Sequence, residues 1–249
     1  MIRPSNLSAA LGPLWGMALF VFLAGCAGMH DVYPSPSDFA VHGIDVSKYQ
    51  GDIDWNAVRD SGVKFAWIKA TEGGDRFDDK FAQNWTKAKE AGIPRGAYHF
   101  AYWCRTGEEQ AAWFTAHVPN DPDALPPVLD LEWNGQSKTC PKHPSRDVAL
   151  AAIRTMLTAM ERTYGKKPVI YTSIDFHRDV LAGEFADYPL WVRSVKDYPS
   201  VKYGDRNWHF WQHTAEGRVP GINGYVDRNA FRGTVKDWQA WLAEAAPGG

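Results

Sequence analysis

The run Val128-Leu129-Asp130-Leu131-Glu132-Trp133 places two carboxylates two residues apart in an apolar segment. In an extended strand that spacing puts both acids on one side and Leu129 and Leu131 on the other. Like charges roughly 6–7 Å apart push one pKa up, so a carboxylic acid keeps its proton near neutrality and can give it to a leaving group. Gly43-Ile44-Asp45-Val46-Ser47 ends another strand-like run in an acid, and Gly224-Tyr225-Val226-Asp227 does the same near the end of the chain. Taken singly, each of these acids is equally readable as a cap on the next turn. His99 in Gly96-Ala97-Tyr98-His99-Phe100 is a further candidate for the same mouth, although a hydrogen-bonded barrel histidine fits it as well. Aromatic side chains at strand ends, notably Tyr98, Trp103, Trp133, Tyr171, Trp191 and Trp211, have flat faces suited to stacking on sugar rings.

Alternating strand-like and helix-like segments must position these groups. His42–Ser47 predicts a first strand, and Asp54 can cap a short helix from Trp55 to Ser61 that stops at Gly62. Lys64–Ala70 predicts a second strand, and Phe81, Trp85 and Ala88 recur at helical spacing before Gly92. Arg95–Ala101 predicts strand three, and Thr106-Gly107-Glu108-Glu109 forms a capping box for a helix running to His117. Pro127–Trp133 predicts strand four. Ser145 caps the longest helix, with Val148, Ala152, Met156 and Met160 on one stripe and Gly165 past its end. Pro168–Ser173 and Leu190–Val195 predict strands five and six, with at most a short helix between them, while 196–208 carries no helical stripe. His209–Thr214 and Tyr225–Phe231 are joined through a Gly- and Pro-containing turn, which favours an antiparallel pair. Thr234 caps a last helix carrying Trp238, Trp241 and Leu242. The expected fold class is α/β, a single-domain irregular βα barrel of about five βα units followed by three β-strands. First and last strands of a closed barrel are neighbours, so Asp45, Asp130, Glu132 and Asp227 can converge on one mouth.

The 249 residues are 45% hydrophobic, enough for one sizeable core. With 27 Lys+Arg against 29 Asp+Glu there is no basic surplus for holding phosphates, so nucleic acid is not an expected partner. Three cysteines exclude a disulfide-dense miniprotein, no C-x-x-C pair signals zinc, and neither a metal nor a cofactor is expected. After Arg3, residues 14–24 form an apolar stretch shorter than the roughly 20 residues that span a bilayer, which reads as a signal-peptide core. It runs into Leu23-Ala24-Gly25-Cys26, which is similar to a bacterial lipobox with Cys26 as the lipidated first mature residue. The expected domains are a signal peptide at 1–25, a lipidated N-terminus and tether at 26–40, and a catalytic barrel at 41–249. The expected protein is a monomer, anchored by lipid in the bacterial envelope, at the outer membrane facing the periplasm where the source has two membranes. Cys104 and Cys140 each follow a predicted strand and so share one end of the barrel; a disulfide is expected, with two unpaired thiols as the alternative.

Gly43-Ile44-Asp45-Val46-Ser47-Lys48-Tyr49-Gln50-Gly51, then Phe65-Ala66-Trp67-Ile68-Lys69-Ala70-Thr71-Glu72-Gly73, resembles the opening of the glycoside hydrolase family 25 muramidases, the Chalaropsis-type lysozymes. Gly96-Ala97-Tyr98-His99-Phe100, the Asp130-x-Glu132 pair, Pro168-Val169-Ile170-Tyr171-Thr172, Pro189-Leu190-Trp191-Val192 and Val219-Pro220-Gly221-Ile222 continue the likeness in order. The resemblance implies metal-free hydrolysis of the β-1,4 bond between N-acetylmuramic acid and N-acetylglucosamine, with peptidoglycan glycan strands as partner. It implies Glu132 as general acid/base, Asp130 as its partner carboxylate, and Asp45 and Asp227 as two further acids of the site. It also implies a retaining route in which the substrate's 2-acetamido oxygen attacks the anomeric carbon. Tyr98, His99, Tyr171, Trp191 and Trp211 are the candidate substrate contacts. Departures from the family pattern at Arg193, His213 and Arg228 flank the expected cleft and bear on substrate preference. Two other readings stay open: a non-catalytic glycan-binding module on the same fold, and a metal-dependent hydrolase with Asp45, Asp130, Glu132 and His99 as ligands.

Overall fold

Apolar runs of period two separated by capped helical segments dictate the alternation that the computed structural model shows; it describes Met1 and residues 32–245. The chain divides into residues 1–32 and 33–249, and the barrel lies in the second unit. Cys26 and the expected signal peptide before it lie outside the described residues, apart from Met1.

The strands are β1 (His42–Val46), β2 (Phe65–Glu72), β3 (Arg76–Phe77), β4 (Arg95–Phe100), β5 (Val128–Leu131), β6 (Val169–Thr172), β7 (Leu190–Arg193), β8 (Phe210–Gly217) and β9 (Val226–Phe231). Between and after them run α1 (Trp55–Asp60), α2 (Phe81–Glu90), α3 (Gly107–His117), α4 (Arg146–Tyr164), α5 (Ile174–Phe176), α6 (Pro199–Tyr203) and α7 (Val235–Glu244). Side chains set several starts: Asp54 accepts from the amides of Asn56 and Ala57, while Thr106 and Thr234 form capping boxes with Glu109 and Asp237. Gly165 ends α4 in a left-handed conformation, which glycine adopts without a Cβ penalty.

Eight strands close a barrel. From β1 through β2, β4, β5, β6 and β7 to β8 every pairing is parallel; β9 runs antiparallel between β8 and β1. Strand alternation sorts the residues into two layers. Ile44, Ile68, Leu129, Leu131 and Val192 face outward against the helices, whereas Phe65, Trp67, Val128, Val169 and Phe210 fill the lower lumen. α7 closes that end, with the Trp241 ring 5.1 Å from Phe210 and Trp238 5.3 Å from Phe65. Each such fully buried side chain contributes roughly 1.5–3 kcal/mol. Gly43 and Gly96 make room for these rings: a Cβ at Gly43 would collide with Phe65, and one at Gly96 with Trp67.

Four features differ from the sequence expectation. β3 is a two-residue antiparallel addition to β2, too short to show a period. α6 forms within the segment read as non-helical, started by Pro199 in the first turn, and is too short for a stripe. On α4 the buried stripe passes through Ala149, Ile153, Met156 and Met160, leaving Val148 59% exposed, one helical position off the core face. The expected tether boundary at residue 40 is also too late, because Phe39 already packs edge-on against Trp208 and Trp211 and Tyr33 stacks on Tyr198.

Candidate active site

Asp130 lies in β5 and Glu132 just beyond its end. Both line a cavity of about 290 Å³ at the mouth of the barrel, and Asp45 and Asp227 line it as well. Asp45 stands directly opposite Asp227 in the β1–β9 ladder. Asp227 is the second residue of β9 rather than the end of a strand, and reaches the mouth because β9 runs antiparallel to the other strands. Four acids thus converge where the parallel strands end, as in barrels whose active sites gather at that face.

Their surroundings differ sharply. Asp45 is buried and held by side-chain amides: Gln212 Nε2 donates to both its oxygens, at 3.0 and 3.2 Å, and Asn229 Nδ2 donates to Oδ2 at 2.8 Å. The Tyr171 hydroxyl and the Trp191 indole N–H donate to the carbonyl oxygens of Gln212 and Asn229, each at 2.8 Å, so both amides are oriented toward Asp45. Asp130 has no such cradle, and its Oδ1 is buried without a hydrogen-bond partner among the described residues. An unmatched buried acceptor is costly, and a donor on a molecule bound in the cavity would relieve that cost.

Burial raises the Asp130 carboxyl well above the usual range, and the neighbouring Glu132 raises it further. Burial also raises Glu132, against the opposing pull of Arg193. Asp130 and Glu132 therefore act as a pair that retains a proton to higher pH than an isolated carboxyl would. Asp45 is raised by burial and then by Asp227, and Asp227 by burial against Arg193.

The loops behind the acids are pinned. Trp103 Nε1 donates to the Glu132 carbonyl at 2.6 Å, and the Trp103 amide donates to the Asn134 side chain. Cys104 and Cys140 form a disulfide with a Cα–Cα distance of 5.6 Å, tying the segment after β4 to the segment after β5. Trp133 points away from the cavity and donates to Asp179.

Of the expected substrate contacts, Tyr98, Tyr171 and Trp191 line the cavity. Tyr171 and Trp191 form its floor, packed edge to face at 4.5 Å and almost fully buried. His99 does not belong to the site. It follows Tyr98 in β4, so its ring lies on the other face, where Nδ1 meets Thr71 Oγ1 at 2.7 Å and Nε2 meets Gln110 Oε1 at 3.2 Å. Burial pushes this imidazole down to about 4, so it is a neutral structural group. The metal-ligand set that includes His99 is accordingly not assembled. Trp211 is misplaced for the same reason: it faces outward, donating from Nε1 to the Ser194 carbonyl, while its neighbour Gln212 faces Asp45.

Beyond the expected acids and substrate contacts, further residues complete the mouth, among them Arg193, expected only to flank the cleft. Gln212 and Asn229 orient Asp45, Lys69 and Arg193 line the cavity, and Tyr49 stands on the rim, 82% exposed. Strand parity could have found Gln212, Asn229 and Lys69, since each lies two residues from a lumen-facing position.

The sequence profile of glycosyl hydrolases family 25 matches residues 44–222. The chain is similar to YegX of Escherichia coli strain K12, 40% identical over 214 residues covering 83% of this chain and 75% of that one. It is also similar to lysozyme M1 of Streptomyces globisporus, 38% identical over 222 residues, covering 84% of this chain and 74% of that one. Among solved structures it resembles a family 25 glycosyl hydrolase from Bacillus anthracis, with a TM-score of 0.77 and 34% identity over 86% of this chain and 98% of that one.

Proposed function

Since the chain belongs to glycosyl hydrolases family 25 and is a glycoside hydrolase, we propose that it is a muramidase cleaving the β-1,4 bond between N-acetylmuramic acid and N-acetylglucosamine in peptidoglycan. The observation that carries this reading is the Asp130–Glu132 pair in the mouth, with Asp130 Oδ1 buried and unpartnered. An N-acetylated sugar supplies the missing donor through its acetamido N–H.

That contact assigns the proton. Donation to Asp130 favours its ionised form, which leaves the shared proton on Glu132. Glu132 then protonates the leaving glycosidic oxygen as the acetamido oxygen attacks the anomeric carbon, so the C–O bond breaks and a cyclic oxazolinium-type intermediate forms. Asp130 orients the acetamido group and offsets the positive charge it gathers. The Glu132 carboxylate next takes a proton from water, whose oxygen opens the intermediate from the face the leaving group vacated, and the β-configuration is retained. Asp45, fixed by Gln212 and Asn229, and Asp227 opposite it shape the field around the sugar rather than exchange protons.

Mass spectrometry of soluble fragments released from purified peptidoglycan tests the bond assignment. Muramic acid at every new reducing end is expected; N-acetylglucosamine at that position would refute it.

The same proposal places the enzyme in the bacterial envelope, tethered through a lipid on Cys26, with the lipobox-like Leu23-Ala24-Gly25-Cys26 as its support. Cys26→Ser is expected to release the protein from the membrane fraction or leave its precursor uncleaved. Unchanged processing and partitioning would remove the anchor.

A further inference from the structure

Among the side chains of the cavity, Arg193 is a cation that makes no contact ion pair among the described residues, although it acts at longer range on Glu132 and Asp227. It lies on β7 two residues beyond Trp191, on the same lumen-facing side, and lines the cavity with the four acids. No carboxylate lies within ion-pair distance of it among the described residues, and it makes no side-chain hydrogen bond there. Lys69, the other cation of the cavity, is engaged: its ammonium meets Glu72 at 2.6 Å and lies 5.0 Å from the centre of the Phe100 ring. Arg193 is half-buried, so its donors are partly stripped of water, yet none of its nitrogens is a sealed orphan. A guanidinium in that condition favours a planar acceptor, and a carboxylate matches its fork with two parallel hydrogen bonds.

Resting on the muramidase reading above, we propose that Arg193 is a specificity-determining residue that binds a carboxylate borne on the 3-O-substituent of muramic acid. That substituent is what separates muramic acid from N-acetylglucosamine. Its carboxylate has two sources: the free lactyl group of a strand stripped of peptide, or the acidic residues of a peptide stem still attached. In a mouth lined by four acids, an anionic substituent would be repelled without such a cation. Arg193 thereby converts an acidic cleft into one that accepts an acidic sugar.

The charge of Arg193 also opposes the effect of burial at Glu132 and Asp227, so a purely electrostatic role is the competing explanation. The two differ in what they discriminate. Steady-state kcat/KM should be measured for the wild type, Arg193→Ala and Arg193→Lys on four soluble glycans. These are stripped strands, stripped strands whose lactyl carboxylates are converted to methylamides, stem-bearing strands, and stem-bearing strands amidated in the same way. Charge-assisted hydrogen bonds of this kind predict a wild-type preference for the carboxylate form of roughly 10- to 100-fold. In Arg193→Ala that preference should collapse toward unity, chiefly through KM, and Arg193→Lys should restore part of it. Preference within the stripped pair assigns the lactyl carboxylate; preference confined to the stem-bearing pair assigns the stem. Equal wild-type rates within both pairs overturn the inference. So does an Arg193→Ala variant that loses rate equally on all four glycans with a displaced pH profile, since that is the electrostatic role alone. A wild type that cuts none of the four, or leaves N-acetylglucosamine at the new reducing end, overturns the muramidase reading itself and is distinguishable from either result.

Discussion

In the lower lumen Phe65, Trp67, Phe210, Phe231, Trp238 and Trp241 interlock, with Gly43 and Gly96 reduced to backbone so that rings can fit. At the opposite end of the barrel the lumen holds Asp45, Asp130, Glu132 and Asp227, all with raised carboxyl pKa values and one with a buried oxygen that no group among the described residues satisfies. The lower half gains stability from burial, whereas the upper half gives some of it up. Stability and chemistry are thus separated by height within one barrel, which lets the floor hold the acids in a state that their own interactions disfavour.

The largest effect that could break this division is on turnover. Glu132→Gln removes the proposed proton donor but little volume, and kcat should fall by about 10²–10⁴-fold. Circular dichroism should stay as in the wild type and the melting temperature should not fall, since the neutral amide also relieves the burial penalty on Glu132; full activity in this variant would remove the acid assignment. In the floor the pattern should invert. Phe231→Ala deletes a ring packed against Phe210, Trp238 and Trp241, and should cost about 3–5 kcal/mol of stability. Turnover of the molecules that remain folded should stay close to wild type, measured below the onset of melting. A variant that melts normally but loses turnover would show that floor and mouth are not separate.

The smallest effect carries the sharpest sign. Asp130 has a folded-state pKa raised above its unfolded value, so the folded chain binds the extra proton, and its stability falls as pH rises through that window. Asp130→Asn removes the penalty. Its melting temperature should match wild type at low pH, where both states of Asp130 are protonated, and exceed it increasingly as pH rises through the window. Each ~1 kcal/mol relieved corresponds to roughly 2–4 °C in a chain of this size. Turnover should nevertheless be lost while glycan binding persists. Equal melting temperatures at neutral pH would mean that Asp130 is not strained in the free enzyme.

How far these regions are legible in sequence follows the same division. Most barrel strands are readable as apolar runs bounded by Gly, Pro or a cap, the more polar β8 and β9 through the turn that joins them, and Asp130 and Glu132 are readable because their spacing matches the strand period. Period two also exposes the misreadings. Tyr98 and His99 are adjacent in β4 and cannot share a face, and the same holds for Trp211 and Gln212 in β8. Aromatic character drew attention to Trp211, while the residue that reaches Asp45 is the plain amide beside it. A register shift in β2 between Lys69 and Thr71 adds a step that no spacing rule in the sequence reveals; Lys69 meets Glu72 three positions on. Short elements such as β3, two residues, and α6, five, span too few positions to show a period, so their local sequence carries little signal.

In the proposed reaction Glu132 and Asp130 work with the substrate's own acetamido group and configuration is retained. The most direct measurement is proton NMR of the first sugar released from a soluble glycan, recorded before mutarotation scrambles the anomers. The β-anomer should appear first and decay toward equilibrium. If the α-anomer appears first, water has attacked directly with inversion, and the roles assigned to Asp130 and the acetamido group are wrong.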